Sequence, residues 1–262
     1  ESARALPAHR DFRAKAYWLY EAFYATEGLG PTAVLPWLAA WLGGNTVEEA
    51  HAVVARAIVA SRRGAHGLED WVSASAGRAG QLSVSYQAGL CIQPEMRDLM
   101  GALDRVGARV FVVSASAEVV VEAAASILGY PVGPEAIFGV RLETEGSRLV
   151  PRGVSPDRYP LTYRDGKVEV IRRFLPGPPL FVAGDSDTDY EMLTAFSETE
   201  VRLIINRNRG GDIGSLYPAA FEDRGPGRPL TLLQGRDENH CGFRPMRETV
   251  PWGSTEPTRL VD

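Results

Sequence analysis

The chain has 262 residues, 45% of them hydrophobic, enough for one large domain or a core with a smaller companion that buries roughly 75% of its unfolded surface. Its formal charge of -5, from 28 basic against 33 acidic residues, lacks the basic excess of a nucleic-acid binder, and no nucleic-acid partner is expected. No apolar run approaches the roughly 20 residues that cross a bilayer, so no membrane span is expected either. Cys91 and Cys241 belong to no close Cys/His cluster and leave the redox compartment open. His9, His51, His66 and His240 form no catalytic or metal-binding motif.

From Asp11 to about Ala76 the pattern is helical, with Phe12, Tyr17, Trp18, Tyr20, Phe23 and Tyr24 recurring at three- and four-residue intervals. Gly28-Leu29-Gly30-Pro31 separates a first helix from a second through Trp37 and Trp41. Thr46-Val47-Glu48-Glu49 has the capping-box spacing that opens a third. Strand signals are scarce here, and residues 1–90 read as a small helical module. Past the polar stretch from Ser75 to Gln81, Pro94 starts a helix that Gly107 ends. Arg109 to Val113 reads as a buried strand, Glu118 to Leu128 as a helix, and Phe138 to Leu142 as a strand. A helix from Lys167 to Phe174 and strands at Leu180 to Ala183 and Val201 to Ile205 follow. This alternation predicts an α/β fold, a doubly wound and mainly parallel sheet, over residues 91–262. From about residue 210 the chain is rich in glycine, proline and charge, with a turn at Pro226-Gly227-Arg228-Pro229, and is expected to wrap the core irregularly.

Phe181-Val182-Ala183-Gly184-Asp185-Ser186-Asp187-Thr188-Asp189 is a short apolar strand that stops at a glycine and presents three carboxylates, where α/β folds build their sites. Asp185 is placed to bind Mg²⁺, and Asp189 to hold metal-bound water or an adjacent cation. The same residues also read as a helix start, with Ser186 and Asp189 as a capping box. An EF-hand is excluded, because Tyr190 stands at its glycine position and Phe196 at its glutamate position. Ser114 follows an apolar run and precedes a helix, so its hydroxyl can meet a phosphate or simply cap that helix. No Gly-x-Ser-x-Gly elbow supports a serine hydrolase. Lys167 lies near a helix start, where its charge opposes the helix dipole and calls for a partner such as phosphate or the Asp185/Asp189 pair. The plain alternative is a solvated surface lysine.

Taken in order, Ser114 after a strand, Lys167 before a helix and Gly184 to Asp189 after another strand resemble the second, third and fourth motifs of the haloacid dehalogenase-like phosphatases. The resemblance runs from about Pro94 to Asn206. The upstream helices resemble the cap of the phosphoserine-phosphatase-like branch. Leu161 to Lys167 and Leu233 to Asn239 resemble phosphorylcholine-phosphatase-like members more particularly. The resemblance implies a Rossmann-like core with a helical cap, and hydrolysis of a small phosphomonoester through an aspartyl-phosphate. In that scheme Asp185 binds Mg²⁺, Ser114 hydrogen-bonds a phosphoryl oxygen, Lys167 neutralises phosphate charge, and Asp189 supports the metal's waters or Lys167.

The family's first motif, an apolar strand ending in Asp-x-Asp-x-Thr or Val, has no counterpart before the helical module; Asp11-Phe12-Arg13 does not match it. The chain starts at Glu1, and the expectation is that an active enzyme has been truncated at its amino terminus, losing its nucleophile and the sheet's central strand. Such a chain is expected to turn over little. The rival readings are a non-catalytic protein that binds a phosphorylated ligand, and a phosphotransferase of the same fold. The partner expected is a small phosphorylated metabolite; Trp18, Tyr20, Tyr24, Trp37, Trp41 and Trp71 could bind a choline-like cation or pack the module's own core. Oligomeric state stays open, and the resemblance permits a secreted or periplasmic location as well as a cytoplasmic one.

Overall fold

Pro7 begins the first helix, α1 (Pro7–Ala25), at the position where its fixed φ suits a helix start. A turn through Gly28 at φ +84° leads into α2 (Gly30–Ala40). The third, α3 (Val47–Arg63), opens on a complete capping box: the Thr46 N–H donates to Glu49 at 2.8 Å and the Glu49 N–H to Thr46 Oγ1 at 3.1 Å. The computed structural model describes residues 6–63, 67–90, 92–222 and 225–260; Glu1, His66 and Cys91 lie outside them.

The module is not purely helical. β1 (Gly67–Val72) and β2 (Ser83–Ala88) form an antiparallel hairpin in the stretch read as poor in strands. Its sequence hides it, since β1 carries Glu69 and Asp70 and leaves Leu68 61% exposed. Cross-strand packing makes the strand: Trp71 stacks on Tyr86 with centroids 4.0 Å apart, and Tyr17 of α1 meets both rings edge-on.

The α/β part runs α4 (Pro94–Arg105), β3 (Val112–Ala117), α5 (Glu118–Leu128), β4 (Ile137–Val140), β5 (Leu142–Glu145), β6 (Arg148–Gly153), α6 (Asp165–Phe174), β7 (Phe181–Gly184), α7 (Tyr190–Thr194), β8 (Val201–Asn206) and α8 (Gly211–Gly214). α5 keeps the bounds read from sequence, whereas β3 lies three residues later than the apolar run. The β5–β6 hairpin is a polar pair that periodicity did not reveal. It forms where the helical module docks, with the Gly44 N–H donating to the Leu149 carbonyl at 2.7 Å and Thr46 bridging to Arg148.

The tail is not an irregular wrap. It supplies β9 (Leu230–Asp237), β10 (Gly242–Arg244), β11 (Glu248–Val250) and β12 (Thr258–Arg259). β9 alternates inward Thr231, Leu233 and Gly235 with outward Leu230 and Leu232, a period-two signal overshadowed by the surrounding turn residues. The large sheet has the order β12-β11-β9-β8-β7, with β7, β8, β9 and β11 mutually parallel along it and β10 antiparallel on β9. β3 and β4 form a separate parallel pair. Among the described residues, β3 and β7 each keep one unpaired edge. Val113 of β3 nevertheless packs into the cluster around Val182 of β7 and Ile204 of β8, so both half-sheets share one core. The expected α/β architecture with a mainly parallel sheet holds, but the sheet is divided between β3 and β7.

Cys241, at φ +59°, is disulfide-bonded, and the chain's other cysteine is Cys91. Nearby, the Phe243 N–H donates to Glu95 of α4 at 3.1 Å, so the β9–β10 turn is tied to the start of the core. Replacing Cys241 by serine is expected to lower stability by about 2–5 kcal/mol, measured as a fall in the urea midpoint that reductant reproduces on the unmodified chain.

Candidate active site

β7 ends at Gly184, whose α-carbon is so close to Asp189 that an added Cβ would lie 2.6 Å from the Asp189 Cβ. The chain then turns through Asp185 and Ser186 into a capping box, Ser186 with Asp189. Asp189 Oδ2 accepts the N–H groups of Asp185 at 3.0 Å and Ser186 at 3.2 Å, together with the Ser186 hydroxyl. Its Oδ1 takes Lys167 Nζ at 2.5 Å. Both side chains of this ion pair are buried, at 5% and 9% exposure. Lys167 is thus no surface lysine; Asp189 supplies the partner that its place at the start of α6 calls for. Asp189 thus holds Lys167 through Oδ1 and the turn through Oδ2, whereas Asp185 is the more open carboxylate of the two.

Asp185 is about one-third exposed, and no hydrogen bond reaches its Oδ1 among the described residues. Its Oδ2 faces Nη1 of Arg236 at 3.1 Å and of Arg207 at 3.5 Å. Both guanidiniums also bond Glu238 Oε1: Arg236 through Nη2 at 2.7 Å and Nε at 3.1 Å, Arg207 through Nε at 2.9 Å. Burial raises the Glu238 carboxyl, but Arg207 and Arg236 outweigh it and hold the group below the usual range. A carboxyl lowered in the folded state stabilises fully above its unfolded value, about 4.3 for glutamate, and that contribution is lost as pH falls through the folded value. Glu238→Gln is therefore expected to flatten the acid side of the stability profile, seen in urea midpoints collected from pH 7 downward. Arg236 and Glu238 fall in the stretch from Leu233 to Asn239, and their approach to Asp185 depends on β9, which the turn-rich composition of the tail conceals.

Ser114 sits where the regular β3–β4 ladder breaks, between the Val113↔Phe138 and Ala117↔Val140 pairs. Its hydroxyl accepts the Ser116 N–H at 3.1 Å and does not cap α5, whose first turn has no side-chain cap. No hydrogen bond joins Ser114 to Lys167, Asp185 or Asp189; Val113, packed near Val170 of α6, brings the strand alongside the lysine's helix. Asp187 accepts the Ile213 N–H at 2.9 Å and so latches α8. Arg164, at φ +49°, precedes α6 in a strained conformation and pairs with Glu191 of α7 and Asp212 of α8. From the helical module, Tyr24 reaches this region: burial, with Tyr163, Tyr20 and Asp187, holds its phenol above the ordinary value.

The arrangement is a buried ammonium in the first turn of α6 beside a carboxylate with one open oxygen at the carboxyl end of β7, with a serine inside β3, the strand whose Val113 packs near α6. The sequence model of haloacid dehalogenase-like hydrolases matches residues 12–194, which include all of these groups. The chain belongs to that family. No curated protein matches it. Among solved structures, a conserved functionally unknown protein from Anaerococcus prevotii DSM 20548 is similar, with a TM-score of 0.80 and 26% identity over 98% of this chain. The match covers 66% of that protein's own length.

Family members generally use Mg²⁺. The residues present fit such an ion: an open carboxylate oxygen at Asp185 is the hard donor that Mg²⁺ prefers, and Mg²⁺ commonly binds through one or two carboxylates, with waters and substrate phosphate completing its shell. Among the described residues no group of three or more Asp, Glu, His or Cys side chains is placed to hold a metal ion.

Proposed function

We propose that the protein hydrolyses a small phosphomonoester with Mg²⁺, and that this chain contributes the phosphate- and metal-binding side of the site. The observation that carries the reading is the buried Lys167–Asp189 pair beside Asp185. Asp185 would hold the ion, which would supply positive charge to the phosphoryl oxygens. Lys167 would offer a dry, fixed positive charge to the same group, and Ser114 a hydroxyl from the facing half-sheet. Asp189 would keep Lys167 aimed. The nucleophilic aspartate has no first-motif counterpart in residues 1–262, and the unpaired edges of β3 and β7 support assigning it to a strand between them. In the complete protein that aspartate would attack phosphorus to give an aspartyl-phosphate, which water would cleave.

A compact substrate is favoured because Tyr24 approaches Tyr163 and Asp187 from the helical module, so closure would enclose the site. Trp71 is a poor choline receptor: Tyr86 covers one face and Arg13 lies 4.8 Å from its ring centroid. Calorimetry with choline phosphate and phosphoserine tests that point, and tighter binding of choline phosphate would reverse it. The disulfide at Cys241 supports a secreted or periplasmic location.

The deciding experiment measures phosphate release from a panel of small phosphomonoesters, with and without Mg²⁺. Residues 1–262 alone are expected to turn over little, and a protein that also carries the first-motif strand is expected to be active and Mg²⁺-dependent. Robust turnover by residues 1–262 alone would refute the missing-nucleophile assignment; inactivity of the longer form would favour a ligand-binding protein.

A further inference from the structure

We propose that Arg207 and Arg236, braced by Glu238, are positioning residues that orient Asp185 for a divalent cation; the proposal rests on the metal-dependent reading above. The strand order sets the geometry. Asp185 follows β7, Arg207 follows β8 and Arg236 is the penultimate residue of β9. Gly184 pairs with Ile204 and Asn206 with Gly235, so all three side chains arrive at one edge of the sheet. The arginines come from the β8–β9 side of Asp185, whereas β3, which carries Ser114, belongs to the other half-sheet. They are thus poorly placed to clamp the phosphoryl group and well placed to hold the carboxylate.

Both guanidiniums meet the same oxygen, Oδ2, and leave Oδ1 open. The main chain of Asp185 is fixed independently, through its N–H on Asp189. Glu238, 8% exposed, engages the Nε side of each arginine and leaves each Nη1 for Asp185; its Oε2 accepts the Trp252 N–H at 3.3 Å. This bridge needs a planar fork that touches two carboxylates at once, which arginine has and lysine lacks. The arginines are only 17% exposed, unlike a solvated surface pair. Partners that orient a ligating group typically change metal affinity by about 10–100-fold when removed.

The test counts free Mn²⁺ by electron paramagnetic resonance, with Mg²⁺ as competitor, on the protein that also carries the first-motif strand and on its Arg236→Lys, Arg236→Gln and Asp185→Asn variants. Circular dichroism confirms folding. If the arginines orient Asp185, Arg236→Lys and Arg236→Gln both weaken Mn²⁺ binding about tenfold. If Arg236 acts only through its charge, the lysine variant binds as the unmodified protein does and the glutamine variant binds more tightly; either result overturns the proposal. Should the Arg236 variants fail to fold, Arg207→Lys carries the same expectation. Loss of binding in Asp185→Asn alone would overturn the positioning role and leave the metal reading intact. Binding indifferent to Asp185→Asn, or no binding by the unmodified protein, would overturn both.

Discussion

Replacing Asp189 by asparagine is expected to lower the unfolding free energy by about 3–5 kcal/mol, because it leaves the Lys167 ammonium buried without its counter-charge. Asparagine keeps an acceptor oxygen for the Asp185 and Ser186 N–H groups, so the loss reports mainly on the ion pair and little on the turn. The matching apolar change separates the two. With Lys167→Met added to Asp189→Asn no charge remains to be compensated, and most of the lost stability is expected to return. Urea titration of the four proteins of this double-mutant cycle gives the coupling directly. A single Asp189→Asn variant as stable as the unmodified protein would show that Lys167 finds another partner or reaches water. The double variant is then stable but without the site's buried positive charge, and under the proposed function the same two substitutions in the protein that also carries the first-motif strand should lower turnover about 10²–10³-fold.

The candidate site was more legible in the sequence than the sheet that holds it. Asp185, Asp189, Lys167 and Ser114 could be picked out because each stands at the junction of an apolar strand or helix with a polar turn, and such junctions are written locally. The capping boxes at Thr46 and Ser186 were readable for the same reason: spacing alone sets them. What escaped depends on contacts distant in sequence. β1 is a strand because Trp71 finds Tyr86 and Tyr17. β9 is one because the parallel edge of β8 is free to pair residue by residue from Val201↔Leu230 to Asn206↔Gly235. The arginine pair on Asp185 depended on β9 and went unseen with it. The double use of Asp189 also shows why structural and chemical readings of a short motif need not compete. One carboxylate caps the turn with Oδ2 and holds the lysine with Oδ1.

The second large effect is expected at Gly166, one residue before Lys167. A Cβ there would lie 1.7 Å from the Leu161 carbonyl oxygen and 2.9 Å from its carbon, so alanine must push the 161–166 turn and the first turn of α6 apart. The turn has little room to yield. The Gly166 N–H is bonded to the Tyr163 carbonyl, Arg164 is already strained and twice ion-paired, and Val168, Val170 and Ile171 fix the buried face of α6. Gly166→Ala is therefore expected to cost about 1–3 kcal/mol, as overpacking typically does. It should also displace Lys167, and a misplacement of about 1 Å can reduce turnover about 10²-fold. Gly177→Ala is the control: nothing lies within 4 Å of the added carbon, and its stability should change by no more than about 0.5 kcal/mol. Thermal unfolding of the two variants, together with their turnover in the protein that also carries the first-motif strand, distinguishes a steric requirement at Gly166 from a general intolerance of added methyl groups in this half of the core. If Gly166→Ala behaves like Gly177→Ala, the turn is softer than its contacts imply, and the rigid delivery of Lys167 to the site is wrong.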